Sequence, residues 1–163
     1  MSIISTPDLC DKYGDAVQVC KPVFSHYGAV KQFAGEIVTV KCFEDNSMVA
    51  EQVRMPGKGK VLVVDGGGSS QRSLLGDNLA GAAIENGWAG IVIYGYLRDV
   101  EDIALMPIGV MAMGAIPRKT QKLGQGEVNI PITIAGVSMR PAHYLYADCS
   151  GVVVAANMLP ESG

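Results

Sequence analysis

The chain predicts a mixed α/β fold, and three observations carry that prediction. Strand and helix patterns alternate through the middle of the chain, while strand patterns alone fill its last third. Twenty glycines and eight prolines supply the turns that such a layout needs, and abundant valine and isoleucine favour strands. A hydrophobic content of 48% against 18% charge then provides enough apolar surface to pack helices on a sheet. A length of 163 residues suits one compact domain, taken as residues 1–163. At that size about two-thirds of the unfolded surface can be buried without disulfide staples.

Each element has its own signal. Thr6 to Gly14 is predicted as a short helix, with Thr6 as N-cap, Pro7 as first helical residue and Gly14 as the stop. Gly35 to Phe43 alternates as a strand should. Lys60 to Asp65 is an unbroken apolar strand, buried on both faces, that runs into Gly66-Gly67-Gly68-Ser69-Ser70. Gly76 to Asn86 is helical, with Leu79, Ala82 and Ala83 facing inward and Gly87 ending it. Gly90 to Gly95 and Ile108 to Met113 are further buried strands. After them, Asn129–Ile134, Val137–Met139, Leu145–Ala147 and Gly151–Ala155 form a second, mostly antiparallel layer.

Composition removes several function classes. The net charge is −3, the pI is about 5.3, and no Lys/Arg-rich run occurs, so direct nucleic-acid binding is not expected. Cys10, Cys20, Cys42 and Cys149 are dispersed without a C-x-x-C pair, and buried thiols are expected rather than a disulfide framework. Met1 to Asp8 has neither a basic stretch nor a long apolar one, so no secretory leader is expected. No apolar run approaches the roughly 20 residues of a membrane helix. A reducing cytoplasm fits all of this.

The chemistry-bearing pattern is Asp77 followed, after the twenty residues 78–97, by Arg98-Asp99. Asp77 stands at the start of one helix, and the pair stands at the far end of the next strand. A helix start of this kind offers free N–H groups to a carboxylate. Beside it would lie an acid able to hold a hard divalent cation, an acid able to move a proton, and a guanidinium able to sit on an enolate oxygen. Such parts suit metal-assisted chemistry on a small 2-oxo acid. The glycine run at 66–68 lacks the G-x-x-x-x-G-K-[ST] spacing of a phosphate loop. His26 and His143 have no companions at metal-ligand spacing. Arg118-Lys119 with Lys122 is expected to be a solvated loop, Asp65 and Asp148 to be structural, and Met106, Met111 and Met113 to fill the core or a subunit interface.

Val40-Lys41-Cys42-Phe43-Glu44-Asp45-Asn46, Val61 to Ser69 (Val-Leu-Val-Val-Asp-Gly-Gly-Gly-Ser) and Ile93-Tyr94-Gly95, followed by Leu145-Tyr146-Ala147-Asp148 and Gly151-Val152, together resemble the RraA family, the regulators of ribonuclease activity A. The resemblance implies a β/β/α fold with swivelling-domain-like sheet layers, assembled as a ring-shaped homotrimer or a dimer of trimers. It also implies one of two functions. The first is a class II aldolase that cleaves 4-hydroxy-4-methyl-2-oxoglutarate to two pyruvates and decarboxylates oxaloacetate. The second is a non-catalytic regulator that binds and inhibits the endoribonuclease of the RNA degradosome. Asp99 favours the aldolase, because regulator-type members tend to lack the acid after the arginine. On that branch Asp99 would hold Mg²⁺ or Mn²⁺, Asp77 and Arg98 would be catalytic, and Gly76, Asp77, Asn78, Leu79 and Arg98 would bind substrate. Ring-type aldolases of the group often add an acid from a C-terminal extension, whereas this sequence ends Leu159-Pro160-Glu161-Ser162-Gly163. Arg140-Pro141-Ala142-His143 replaces the family's Pro-Gly-Asp and is expected to alter only a turn.

Overall fold

The computed structural model of the chain describes residues 4–160. Residues 1–3, part of the segment read for a leader, and Glu161 to Gly163 lie outside the described residues. In chain order the elements are α1 (Thr6–Tyr13), β1 (Val17–Val19), β2 (Ser25–His26), β3 (Phe33–Lys41), α2 (Ser47–Val53), β4 (Lys60–Asp65), α3 (Asp77–Glu85), β5 (Gly90–Leu97), α4 (Val100–Ile103), β6 (Gly109–Ala115), β7 (Glu127–Val128), β8 (Ile132–Ile134), β9 (Val137–Met139), β10 (Tyr144–Asp148) and β11 (Gly151–Ala155).

One sheet runs in the order β1-β11-β10-β3-β4-β5-β6-β2, with β7 added beside the end of β3. Its centre, β3 to β6, is parallel. The flanking strands are antiparallel. The second β layer is thus a continuation of the same sheet, supplemented by the separate β8–β9 hairpin. The period-two alternation of β4 shows how the layers stack. Leu62 and Val64 join α2 and α3 through Val49, Val53, Leu79, Ala80 and Ala83. Val61 and Val63 face the other way, where they meet Ile132, Val137 and Met139 of the hairpin and Leu145, Ala147, Val152 and Val154 of the curled antiparallel strands. The result is the mixed α/β fold that the alternation of elements predicts, in the β/β/α layering that the family resemblance implies.

Glycine matters most where Phe33 lies across the sheet. A Cβ built on Gly90 or Gly109 would run into the Phe33 ring, which is itself buried. Two glycines side by side on β5 and β6 make the groove that the ring fills. Gly109→Ala is expected to destabilise the fold by about 1–3 kcal/mol through overpacking. Thermal unfolding measures it, and an unchanged midpoint would contradict this packing.

Several boundaries differ from expectation for local reasons. Ser5 is the N-cap of α1, its hydroxyl accepting the Asp8 N–H at 3.3 Å, so Pro7 occupies the second helical position. Thr6 is instead drawn to Asp148, whose carboxylate accepts both its N–H and its hydroxyl at 2.7 Å. Burial pushes the Asp148 carboxyl up, but these bonds and those from Ser150 and Gly151 hold it below the usual carboxylate range. That acid fastens α1 to the β10–β11 turn, a structural role as expected. The strand expected over Asn129–Ile134 is shortened to Ile132–Ile134, because Asn129 is left-handed at φ 56° and Pro131 cannot donate to a ladder. The inward face of α3 is Leu79, Ala80 and Ala83, with Ala82 only half-buried. Arg140 to His143 forms a turn, with Ala142 at φ 73° and the His143 N–H on the Arg140 carbonyl. Met111 is buried, and Met106 packs partly buried against the core.

Candidate active site

The segment leading into α3 is anchored before the helix begins. Leu74 and Leu75 are fully buried. The Leu74 N–H bonds the Tyr96 carbonyl at 2.8 Å, and the Arg98 N–H bonds the Leu75 carbonyl at 2.9 Å. These bonds run the α3 entrance alongside the end of β5, which brings Gly76-Asp77 against Arg98-Asp99.

Asp99 then caps α3 from outside that helix. Its Oδ2 accepts the Asp77 N–H at 2.9 Å, whereas the N-cap residue Gly76 has no side chain to do so. The same carboxylate oxygen lies 4.0 Å from Arg98 Nε. A Cβ on Gly76 would stand 2.7 Å from Asp99 Oδ2 and 3.4 Å from Arg98 Nε, so this position excludes any larger residue while Asp99 stays where it is. Asp99 itself is left-handed, at φ 60° and ψ 42°. Asp tolerates that region better than most residues, at some energetic cost. The chain turns directly into α4, whose Ile103 is wholly buried and whose N–H bonds the Asp99 carbonyl at 2.9 Å. Strain at Asp99 is thereby sustained by packing on both sides.

All six residues expected from sequence line one recess of ≈ 80 Å³: Gly76, Asp77, Asn78, Leu79, Arg98 and Asp99. Among the described residues no hydrogen bond reaches Asp99 Oδ1 or the Asp77 carboxylate, so both keep lone pairs for a ligand. Arg98 is held loosely, with Nη1 at 3.5 Å from the Pro117 carbonyl, and its other donors remain available. No group of three or more His, Cys, Asp or Glu forms a ready-made metal cluster among the described residues. The recess instead offers carboxylate oxygens without thiol or imidazole. That donor set fits a hard cation such as Mg²⁺, which takes one or two carboxylates and keeps several waters, better than Zn²⁺.

Sequence reasoning missed part of the lining. Lys119 and Lys122, expected in a solvated loop, both border the recess. Their loop is fastened by Asp45, which is 1% exposed. Asp45 Oδ1 accepts the Ser47 N–H and hydroxyl, and Oδ2 accepts the N–H groups of Leu123 and Gln125. Burial pushes the Asp45 carboxyl up, but these bonds outweigh it and hold the group below the usual carboxylate range. Thr120 is tied to Asn46 Oδ1 at 2.7 Å, and the Arg118 carbonyl takes the Ser73 N–H at 2.7 Å. No local motif announces this arrangement, because Asp45 and Asn46 lie more than 70 residues from the Thr120 and Leu123 that they hold.

Other candidates stay outside the recess. His26 and His143 do not line it. The glycine run after β4 is a tight turn: Gly67 and Gly68 are left-handed, and the Gly67 N–H bonds Asp65 Oδ1 at 2.9 Å. Burial pushes the Cys20 thiol up to about 11. Burial first, then the charges of Asp45 and Asp65, push Cys42 up to about 12, so neither thiol is a nucleophile at neutral pH. All four cysteines are free. No helix among the described residues is long and apolar enough to cross a membrane.

An acid, an arginine and a second acid are gathered at a helix start, with two lysines beside them, in one recess of an α/β fold. The family model described as "RraA-like: Aldolase/RraA" matches residues 6–154, and the chain belongs to that family. It is 58% identical over 154 residues, 94% of each chain, to a Pseudomonas fluorescens Pf-5 protein named "Putative 4-hydroxy-4-methyl-2-oxoglutarate aldolase". Among solved structures, one from Geobacillus kaustophilus HTA426 described as an S-adenosylmethionine: 2-dimethylmenaquinone methyltransferase is 46% identical, with a TM-score of 0.95 over 98% of this chain and 99% of that one. The RNA-processing inhibitor RraA from Thermus thermophilis is 41% identical, with a TM-score of 0.93 over 100% of this chain and 97% of that one.

Proposed function

We propose that this protein is a divalent-metal-dependent lyase that cleaves 4-hydroxy-4-methyl-2-oxoglutarate to two molecules of pyruvate. The observation that carries the proposal is the meeting of Asp77, Arg98 and Asp99 in one recess at the start of α3. The 58% identity to the Pseudomonas protein supports the substrate.

The difficulty of the reaction is the electron pair released when the C3–C4 bond breaks. It moves into the C2 carbonyl and makes a pyruvate enolate, while C4 becomes the keto carbon of the second pyruvate. Asp77, through a water, takes the proton of the 4-hydroxyl as that bond breaks. Arg98 donates to the C2 oxygen, where negative charge grows, and its planar fork can reach the adjacent C1 carboxylate as well. The Asp77 N–H is taken by Asp99 Oδ2, and the other N–H groups at the start of α3, among Gly76, Asn78 and Leu79, receive the C1 carboxylate and orient the chain. The proton taken from the 4-hydroxyl is returned through the same water to C3 of the enolate, and the second pyruvate leaves.

Asp99 Oδ1 would hold Mg²⁺ or Mn²⁺, with Asp77 close enough in the lining to act through a bound water. When present, the cation supplies Lewis-acid polarisation of the keto oxygen. Oxaloacetate decarboxylation yields the same enolate, so it is proposed as a secondary activity. We further propose that the chain works in the cytoplasm as a homotrimeric ring or a dimer of such rings, since its fold matches the RraA inhibitor along its whole length. That same likeness favours a second reading, inhibition of an RNA-degrading enzyme by contact with the outside of the ring. The two are compatible.

Pyruvate release from 4-hydroxy-4-methyl-2-oxoglutarate, followed with Mg²⁺, after EDTA and after Mg²⁺ is restored, tests the activity. Release that stops with EDTA and returns with Mg²⁺ is expected. Release no faster than with Mg²⁺ alone would overturn the lyase and leave binding of an endoribonuclease as the function to measure.

A further inference from the structure

We propose that Lys119 and Lys122 hold the second carboxylate of a dicarboxylic 2-oxo acid in the recess of Asp77, Arg98 and Asp99, and so set a preference for dianionic substrates. The proposal rests on the lyase function above and deepens it. Arg98 and the α3 N–H groups are matched to one end of the substrate, the keto carboxylate. A glutarate carries a second carboxylate at its other end, and that charge persists through carbon–carbon cleavage. It needs a partner that neither Asp77 nor Asp99 can provide.

The two lysines are placed for this. Both line the recess, and no hydrogen bond or ion pair engages either ammonium group among the described residues. Each residue is exposed, as a group that meets an entering ligand must be. Their main chain, by contrast, is fixed. Lys119 pairs with Ser73 through a β-bridge, and its carbonyl accepts Arg72 Nη1 at 3.1 Å. Thr120, between the lysines, is 5% exposed and bonded to Asn46. Beyond Lys122, the Leu123 N–H is held by the buried Asp45 carboxylate at 2.9 Å. Two free cations on a clamped loop, lining the same recess as Asp77, Arg98 and Asp99, form an electrostatic grip on an anion's far end. Loop anchoring by a buried acid also limits the entropy lost on binding.

The test compares two reactions of the full-length protein with Mg²⁺. One is cleavage of 4-hydroxy-4-methyl-2-oxoglutarate, which has the second carboxylate. The other is exchange of pyruvate methyl protons with deuterated water, followed by NMR, which needs the enolate but has no second carboxylate. In Lys119→Gln/Lys122→Gln, the ratio of kcat/KM for cleavage to that for exchange is expected to fall at least ~10-fold, chiefly through KM. The Lys119→Arg/Lys122→Arg protein is expected to recover most of the ratio, which separates charge from folding. Raising the salt concentration should raise KM for cleavage in the native protein more than in the glutamine variant, because exposed pairs are screened. A ratio that does not change would overturn the proposal, whether both reactions fall together or neither does. If the native protein performs neither reaction, the lyase function itself fails, and this specificity falls with it.

Discussion

Arg98→Ala loses about 10²–10³-fold in kcat for pyruvate release, the scale of losing an oxyanion donor and about 2.7–4 kcal/mol of transition-state stabilisation. The expectation follows from where Arg98 is and how little else holds it. Its side chain is 39% exposed, its nearest acid contact is 4.0 Å away, and its bond to the Pro117 carbonyl is long at 3.5 Å. A guanidinium so loosely engaged by the protein contributes little to folding, so its removal leaves stability nearly unchanged. In the proposed mechanism its donors serve the substrate. Arg98→Lys is expected to recover only a small part of the loss, because a point charge cannot span a keto oxygen and its neighbouring carboxylate. Steady-state rates beside a thermal melt separate the two effects. A loss below 10-fold, or a melt shift as large as that of a core variant, would contradict the assignment.

Gly76→Ala is the second large effect, and it reaches the site without removing any functional group. The backbone there is extended, at φ −131°, so alanine is conformationally acceptable. Exchanging a glycine N-cap for alanine costs no more than about 1 kcal/mol. The new Cβ, however, would sit 2.7 Å from Asp99 Oδ2. The carboxylate must swing away, which breaks its bond to the Asp77 N–H and withdraws the proposed cation ligand. Turnover at fixed Mg²⁺ is expected to fall at least ~10-fold, with the Mg²⁺ concentration for half-maximal rate shifted upward. Unaltered Mg²⁺ dependence would show that Asp99 does not need this glycine.

The parts of the fold legible in sequence are those whose pattern is local. β4, β9 and β11 have the limits their apolar runs predict, and α3 begins where Gly76-Asp77 signals. α2 escaped notice because Ser47 to Val53 spans only two turns and its cap residue Asn46 makes no side-chain capping bond, since that amide serves Leu74 and Thr120 instead. The short strands β1, β2 and β7 exist only because a neighbouring strand supplies their partners. The candidate site divides the same way. Asp77 opens α3 and Arg98-Asp99 directly follow β5, the next element, so one spacing brings them together. Lys119 and Lys122 arrive by the long-range anchoring of Asp45 and Asn46, which no spacing encodes. The left-handed backbone of Asp99 is likewise invisible in sequence, since tertiary contacts on both sides of it, at Leu75 and in α4, maintain it.

Asp99 is the residue on which the proposed chemistry turns, and one comparison tests it most directly: pyruvate release from 4-hydroxy-4-methyl-2-oxoglutarate by the native protein and by Asp99→Ala across a Mg²⁺ titration. Metal-dependent release in the native protein, lost at least ~10²-fold in the variant and not restored at any Mg²⁺ concentration, is the expected result. Full metal-dependent turnover in Asp99→Ala would contradict the account.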